Sequence, residues 1–203
     1  MIAVLDYGIG NLRSAEKALQ RVGGDARLVT DPDDAVGAAG VVLPGVGAFG
    51  RCMEALRASG LDKVALEAID AGTPFLGICI GMQMLFDGSE EDSGAGGLGV
   101  LPGTFRLLPG DVKRPQMQWN LLEPVRAGSP FLDGIGLEPW VYFVHSYALE
   151  ASDDTVATCE YGGTVVAAVE RGALWATQFH PEKSGPVGLR LLANFAGACR
   201  DGA

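Results

Sequence analysis

The spacing of apolar residues changes along the chain, and each change marks an element. Ile2–Leu5 is apolar throughout, as a strand buried on both faces must be. From Leu12 to Val22 the spacing becomes helical: Leu12, Ala15, Leu19 and Val22 share one face, with Glu16, Lys17, Gln20 and Arg21 opposite. Ala26–Val29 and Val41–Leu43 read as further buried strands, Phe49–Ala58 and Leu61–Ala71 as helices, and Phe75–Ile78 as a strand. Short, wholly apolar strands separated by helices predict a parallel sheet covered on both faces.

The second half changes character. Val156–Glu160, Thr164–Val169 and Ala173–Phe179 are strand-like and are joined at Gly162-Gly163 and Arg171-Gly172, which read as tight hairpin turns. Val187–Cys199 closes the chain as a helix, with Val187, Leu191, Leu192 and Phe195 inward. The Gly-, Ser- and acid-rich stretch from Asp87 to Gly103 reads as a mobile surface loop. With no internal repeat, residues 1–203 are expected to form one three-layer α/β domain, its central sheet mostly parallel with an antiparallel extension.

Charge and composition narrow the class. A formal net charge of −10, with 15 basic residues scattered along the chain, argues against a nucleic-acid surface. The most apolar stretch, Phe75 to Phe86, is interrupted by Gln83 and two glycines, so no membrane span is expected. The N-terminus enters a strand at once, with no basic region ahead of it, which does not fit a secretory signal. Four cysteines (Cys52, Cys79, Cys159, Cys199) without Cys-x-x-Cys spacing, and two histidines, point away from a zinc site. The expectation is a reduced, cytoplasmic protein with no metal and no cofactor, in which Cys52, Cys159 and Cys199 are buried bystanders.

Cys79 is different. It lies between Gly77 and Gly81, after an apolar strand and before the helix-like Met82-Gln83-Met84-Leu85-Phe86. A nucleophile that stands out from a packed sheet needs a strand, a sharp turn and a helix, with small residues two before and two after it. A helix starting at Ile80 directs its positive end at the sulfur, which favours thiolate. A base is also needed. His180 ends a strand and is followed by Pro181-Glu182. If Pro181 keeps this segment extended, Glu182 can orient one imidazole nitrogen while the other faces the thiol. Acyl transfer through Cys79 also requires two donors for an oxyanion, and the backbone N–H of Ile80 is the first of them.

The segment Gly77-Ile78-Cys79-Ile80-Gly81-Met82-Gln83, together with His180-Pro181-Glu182, resembles the class I (triad-type) glutamine amidotransferases. Five further segments extend the resemblance across essentially the whole chain: residues 6–12 (DYGIGNL), 43–49 (LPGVGAF), 117–120 (MQWN), 143–147 (FVHSY) and 177–184 (TQFHPEKS). They are similar to one branch of the family, in which the glutaminase is a separate subunit. The resemblance implies hydrolysis of L-glutamine by Cys79, His180 and Glu182 through a thioester. It implies a heterodimer with a (β/α)8-barrel cyclase subunit that receives the ammonia. It places the second oxyanion donor in the Val46-Gly47 loop, and it assigns Gln83, Ser146 and Tyr147 to the glutamine pocket. Tyr7, Asn11, Met117, Trp119, Tyr142 and Lys183 fall in loops that face the cyclase in this branch. His145 reads as a pocket or interface residue, having no acid nearby in sequence.

Three alternatives remain beside this reading. One is the glutaminase of a different synthase. Another is a binding module of similar fold with a misaligned triad. Gly8-Ile9-Gly10, with Asp31 after the next strand, suggests a dinucleotide site, but Arg13 stands where a third glycine belongs. The family's Pro-His-apolar-Gly-Trp-Asn segment reads Pro115-Gln116-Met117-Gln118-Trp119-Asn120 here, which bears on docking if position 118 needs a positive φ.

Overall fold

The computed structural model describes residues 1–108 and 110–201. The first half contains β1 (Ile2–Leu5), α1 (Leu12–Arg21), β2 (Ala26–Val29), β3 (Gly40–Gly45), α2 (Phe49–Ser59), α3 (Leu61–Asp70), β4 (Phe75–Cys79) and α4 (Ile80–Met84). A long excursion follows, with β5 (Gly88–Ser89), β6 (Thr104–Leu107), β7 (Gln116–Leu121), β8 (Glu123–Pro124), β9 (Trp140–His145) and β10 (Tyr147–Ala148). The chain then returns through β11 (Thr155–Glu160), β12 (Thr164–Arg171) and β13 (Leu174–Thr177) to α5 (Gly185–Asp201).

The main sheet has 8 strands in the order β2-β1-β3-β4-β13-β12-β11-β8. Neighbours are parallel from β2 to β13 and antiparallel from β13 to β8, the predicted architecture. Every residue of β1, β3 and β4 is buried, so both faces are covered. One helical group is α1 against α5; the other is α2, α3 and α4.

Register positions the site. Gly45, the last residue of β3, pairs with Cys79, and Thr177, the last residue of β13, pairs with Ile78. The loops leaving β3 and β13 therefore emerge on either side of Cys79, at the carboxyl ends of parallel strands, where open α/β sheets place their ligands.

Two expectations need correction, and two open points close. Residues 87–103 are not a free surface loop. Backbone N–H groups of Leu98, Val100 and Leu101 donate to carbonyls of Met84 and Leu85 at 2.7–3.0 Å, Ser89 is buried, and β5 pairs with β6. The final strand stops at Thr177, short of Phe179, because the chain turns into a 3-10 segment, Pro181–Lys183. Gln118 lies within β7, paired with Phe143, and has no positive φ, so losing the family glycine costs the backbone nothing. The dinucleotide fingerprint dissolves: the Asp31 carboxylate caps a 3-10 turn by accepting from Asp33 N at 3.0 Å.

Candidate active site

Cys79 has φ 55° and ψ −110°, and is the sole non-glycine residue with positive φ among the described residues. An L-residue holds that conformation only where the surroundings over-determine it. Here the flanking glycines do so. A Cβ on Gly81 would run into the Leu43 carbonyl, and one on Gly77 would lie 3.0 Å from Gly81 O. The strand-to-helix turn is thus closed by backbone packed on backbone. The following helix, α4, spans only 5 residues, so the sulfur faces free N–H groups at its start more than a macrodipole.

His180 Nδ1 lies 2.8 Å from Glu182 Oε1, with both side chains buried. The segment is not fully extended as expected. His180 is (φ −100°, ψ 96°), but Pro181–Lys183 forms a 3-10 turn, and the turn brings the carboxylate to the imidazole. The His180 backbone is fixed too: its N–H donates to Tyr142 O at 3.0 Å, and its carbonyl accepts from Ser184 Oγ at 2.6 Å. His180 Nε2 is buried without a closed hydrogen bond, on the ring edge that Glu182 does not occupy. Burial pulls the imidazole toward neutrality, but the facing Cys79 sulfur and the Glu182 carboxylate outweigh it and raise its pKa to about 10. His180 is therefore an imidazolium at neutral pH, poised between sulfur and carboxylate. The contact to sulfur need not be closed before substrate binds.

Two groups complete this cluster: Asn11, which the sequence reading placed at the partner surface, and Gln178, to which it gave no role. Asn11 Nδ2 donates to Glu182 Oε1 at 3.0 Å, so Asn11 supports the Glu182 carboxylate from α1's N-terminal side. Gln178 Nε2 donates toward Cys79 Sγ at 3.7 Å, and Gln178 Oε1 accepts from Gln83 Nε2 at 3.1 Å. Both glutamines are almost completely buried. Gln178 was visible only as part of a longer motif; its long-range partners arise from the β13–β4 register.

A cavity of about 260 Å³ opens over the sulfur. Its walls include Val46, Gly47, Ile80, Gln83, His145, Ser146 and Tyr147, so every residue expected in the oxyanion hole and the pocket lines one space with Cys79 and His180. Glu91 and Pro115 line it as well and were not anticipated, Glu91 having been hidden in the acid-rich stretch. Glu91 Oε2 accepts from Phe49 N at 2.8 Å, which leaves its other oxygen uncommitted.

His145 is neutral, because burial depresses its pKa to about 4. A neutral ring has one N–H. Nδ1 must donate to Tyr147 O, 2.9 Å away, so Nε2 accepts from Gln116 at 2.7 Å. The Gln116 amide is then oriented with its nitrogen toward His145, which also satisfies a nitrogen that otherwise has no partner. Gln116, the residue in place of the family histidine, thereby fixes the ring that walls the pocket.

The residues expected at a partner surface divide. Met117 (61% exposed), Trp119 (48%) and Lys183 are at the surface, with Tyr142 partly so. Tyr7 is not: it is 6% exposed and its hydroxyl donates to Pro44 O at 2.7 Å. Asn11 is turned toward Glu182. Trp119 sits on the open β7–β9 ribbon with its ring 6.1 Å from that of Tyr142, which excludes a core plug. Among the described residues no three His, Cys, Asp or Glu side chains are grouped to hold a metal ion, and no helix is long and apolar enough to cross a membrane.

Such an arrangement can add a sulfur nucleophile to a carbonyl carbon, stabilise the oxyanion with backbone donors, and deliver a proton to a leaving nitrogen. Comparison with known proteins bears on which carbonyl. The family described as glutamine amidotransferase class-I matches residues 3–198. The chain is 50% identical over 200 residues to "Imidazole glycerol phosphate synthase subunit HisH" of Synechococcus sp. (strain JA-3-3Ab), covering 96% of this chain and 92% of that one. It is 46% identical over 205 residues to the protein of the same name from Salinibacter ruber, covering 97% and 94%. Among solved structures, PurLQS from Thermotoga maritima superposes with a TM-score of 0.77 at 22% identity, over 97% of each chain. A glutamine amidotransferase crystal structure gives a TM-score of 0.75 at 21% identity, over 97% of this chain and 98% of the other. At that identity the last two bear on the fold alone.

Proposed function

The chain belongs to the class-I glutamine amidotransferase family, and we propose that it is the glutaminase subunit of imidazole glycerol phosphate synthase in histidine biosynthesis. The observation that carries the chemistry is the strained Cys79 elbow beside the buried His180–Glu182 pair.

L-Glutamine enters the cavity over Cys79. The uncommitted oxygen of Glu91 suits its α-ammonium group, and Gln83, Ser146 and Tyr147 hold the remainder. The Cys79 thiolate forms a C–S bond to the side-chain amide carbon. The developing oxyanion takes hydrogen bonds from Ile80 N–H and the Val46-Gly47 loop. The C–N bond then breaks as His180 Nε2 gives its proton to the departing nitrogen, leaving a thioester and ammonia. Neutral His180 next removes a proton from water, which attacks the thioester and releases glutamate. Glu182 supports the imidazolium in both half-reactions, and Asn11 holds Glu182.

Ammonia is needed elsewhere. In this reading it passes to a separate (β/α)8-barrel cyclase, which makes imidazole glycerol phosphate and an aminoimidazole carboxamide ribotide. Exposed Met117, Trp119 and Lys183, with Tyr142, form the facing surface. The heterodimer works in a reducing cytoplasm, where the four cysteines stay free. Glutamate release from glutamine, measured with and without the cyclase and its ribonucleotide, tests the proposal. Stimulation by the loaded cyclase is expected; no glutamate under either condition would rule it out.

A further inference from the structure

Cys52, on the inward face of α2, was expected to be a bystander. Its sulfur instead lies 3.2 Å from the Val46 carbonyl oxygen, toward which the thiol donates. Burial pushes the Cys52 thiol up, so it keeps the proton it donates. Val46 and Gly47 line the cavity over Cys79, whereas Cys52 is fully buried and does not. The Val46–Gly47 peptide therefore lies between core and cavity. In a trans peptide the C=O and the following N–H point in opposite directions. With its carbonyl drawn into the core, the peptide directs Gly47 N–H outward to the cavity. That N–H has no hydrogen-bond partner among the described residues.

A second buried donor acts on the same loop. The Tyr7 hydroxyl, which also contacts Cys52, holds the Pro44 carbonyl at 2.7 Å. Only the Gly45–Val46 peptide lies between these two anchors. Gly45 cannot carry a side chain there, since a Cβ would lie 2.9 Å from both the Tyr7 hydroxyl and Ile80 Cβ. Gly47, at φ 88°, supplies the left-handed turn beyond the second anchor.

We propose that Cys52 is a positioning residue for catalysis: its thiol, bound to the Val46 carbonyl, keeps Gly47 N–H aimed at the oxyanion that forms over Cys79. The inference rests on the proposed glutaminase reaction. Cys52 touches neither substrate nor Cys79's reacting bond, so its loss should affect the transition state and leave ground-state binding and thiolate formation alone.

The test compares Cys52→Ala, Cys52→Ser and, as a buried-cysteine control, Cys199→Ala, each assembled with the cyclase subunit. Glutamate release gives kcat and KM, and iodoacetamide gives the alkylation rate of Cys79. Cys52→Ala should lower kcat roughly threefold to tenfold, the change in population expected from losing one modest hydrogen bond. KM and the alkylation rate should hold, and Cys52→Ser, which keeps a donor, should recover most of kcat. Unchanged kcat in the alanine variant, or equal losses in alanine and serine, would overturn the proposal. A wild-type complex that alkylates at Cys79 but releases no glutamate is a separate result, which removes the glutaminase reading and this inference with it.

Discussion

Replacing Glu182 by glutamine removes a charge from the site and little else. Glu182 Oε1 accepts from both His180 Nδ1 (2.8 Å) and Asn11 Nδ2 (3.0 Å), and a glutamine carbonyl can accept both. Raising the His180 pKa from 6.5 to about 10 favours the imidazolium by roughly 5 kcal/mol, at about 1.4 kcal/mol per pH unit. Sulfur and carboxylate share that preference. Losing the carboxylate removes one charge-assisted hydrogen bond to the imidazolium, worth about 1.5–3 kcal/mol, and so lowers the thiolate–imidazolium population roughly 10- to 150-fold. The assay is the rate of iodoacetamide alkylation at Cys79 against pH. At pH 7 the variant should react at least tenfold more slowly, and near pH 10, where thiols ionise without a base, the two should converge. The same substitution has a stability signature. A folded-state pKa above the ordinary value means the native protein binds the extra proton between pH 6.5 and about 10. The stabilisation is complete below 6.5 and fades as pH rises through 10, so the gap in melting temperature should be widest at pH 6 and closed by pH 10. Equal alkylation rates at pH 7 would show that Glu182 does not support the ion pair, and the assignment of the triad's third member would fail.

Two other perturbations report on different parts of the structure. Trp119→Ala should cost the isolated subunit only about 1–2 kcal/mol, because the ring is 48% exposed and its main partner is Tyr142 at 6.1 Å, while binding to the cyclase weakens; a loss of 3–5 kcal/mol, usual for a fully buried aromatic, would refute its surface role. His145→Asn should flatten acid denaturation. The native ring has a pKa of about 4, so wild type loses up to about 3 kcal/mol as pH falls from 6.5 through 4, and urea titrations at pH 7 and pH 4 should show the variant losing less.

The parallel half of the fold was legible because its strands are apolar throughout and its helices keep a clear face; β1 and α1 begin where the pattern places them. The hairpins at Gly162-Gly163 and Gly172 were legible because their turns need glycine at positive φ. Residues 104–150 were opaque for a physical reason. Strand β7 reads Gln-Met-Gln-Trp-Asn-Leu with its middle exposed, and only pairing with β9 makes it a strand. Residues 87–103 look like a linker by composition, yet backbone hydrogen bonds to the end of α4 tie them down, and composition does not encode those. Within the site, chemistry carried by local spacing was readable: Cys79 between two glycines, His180 two residues from Glu182. Contacts set by register were not. Asn11 meets Glu182 across 171 residues and Gln178 meets Cys79 across 99. Tyr7 was misplaced at a surface because a tyrosine in a glycine-flanked loop gives no sign that its hydroxyl is drawn to Pro44.

The central claim is that Cys79, alone among four cysteines, is an activated nucleophile in a glutamine site. The most direct test is reaction with the glutamine-analogue electrophile 6-diazo-5-oxo-L-norleucine, followed by peptide mass spectrometry. The account predicts a single adduct, on Cys79, formed more slowly in the presence of L-glutamine and absent from His180→Ala at pH 7. An adduct on Cys52, Cys159 or Cys199, or labelling of Cys79 that glutamine does not slow, would contradict it.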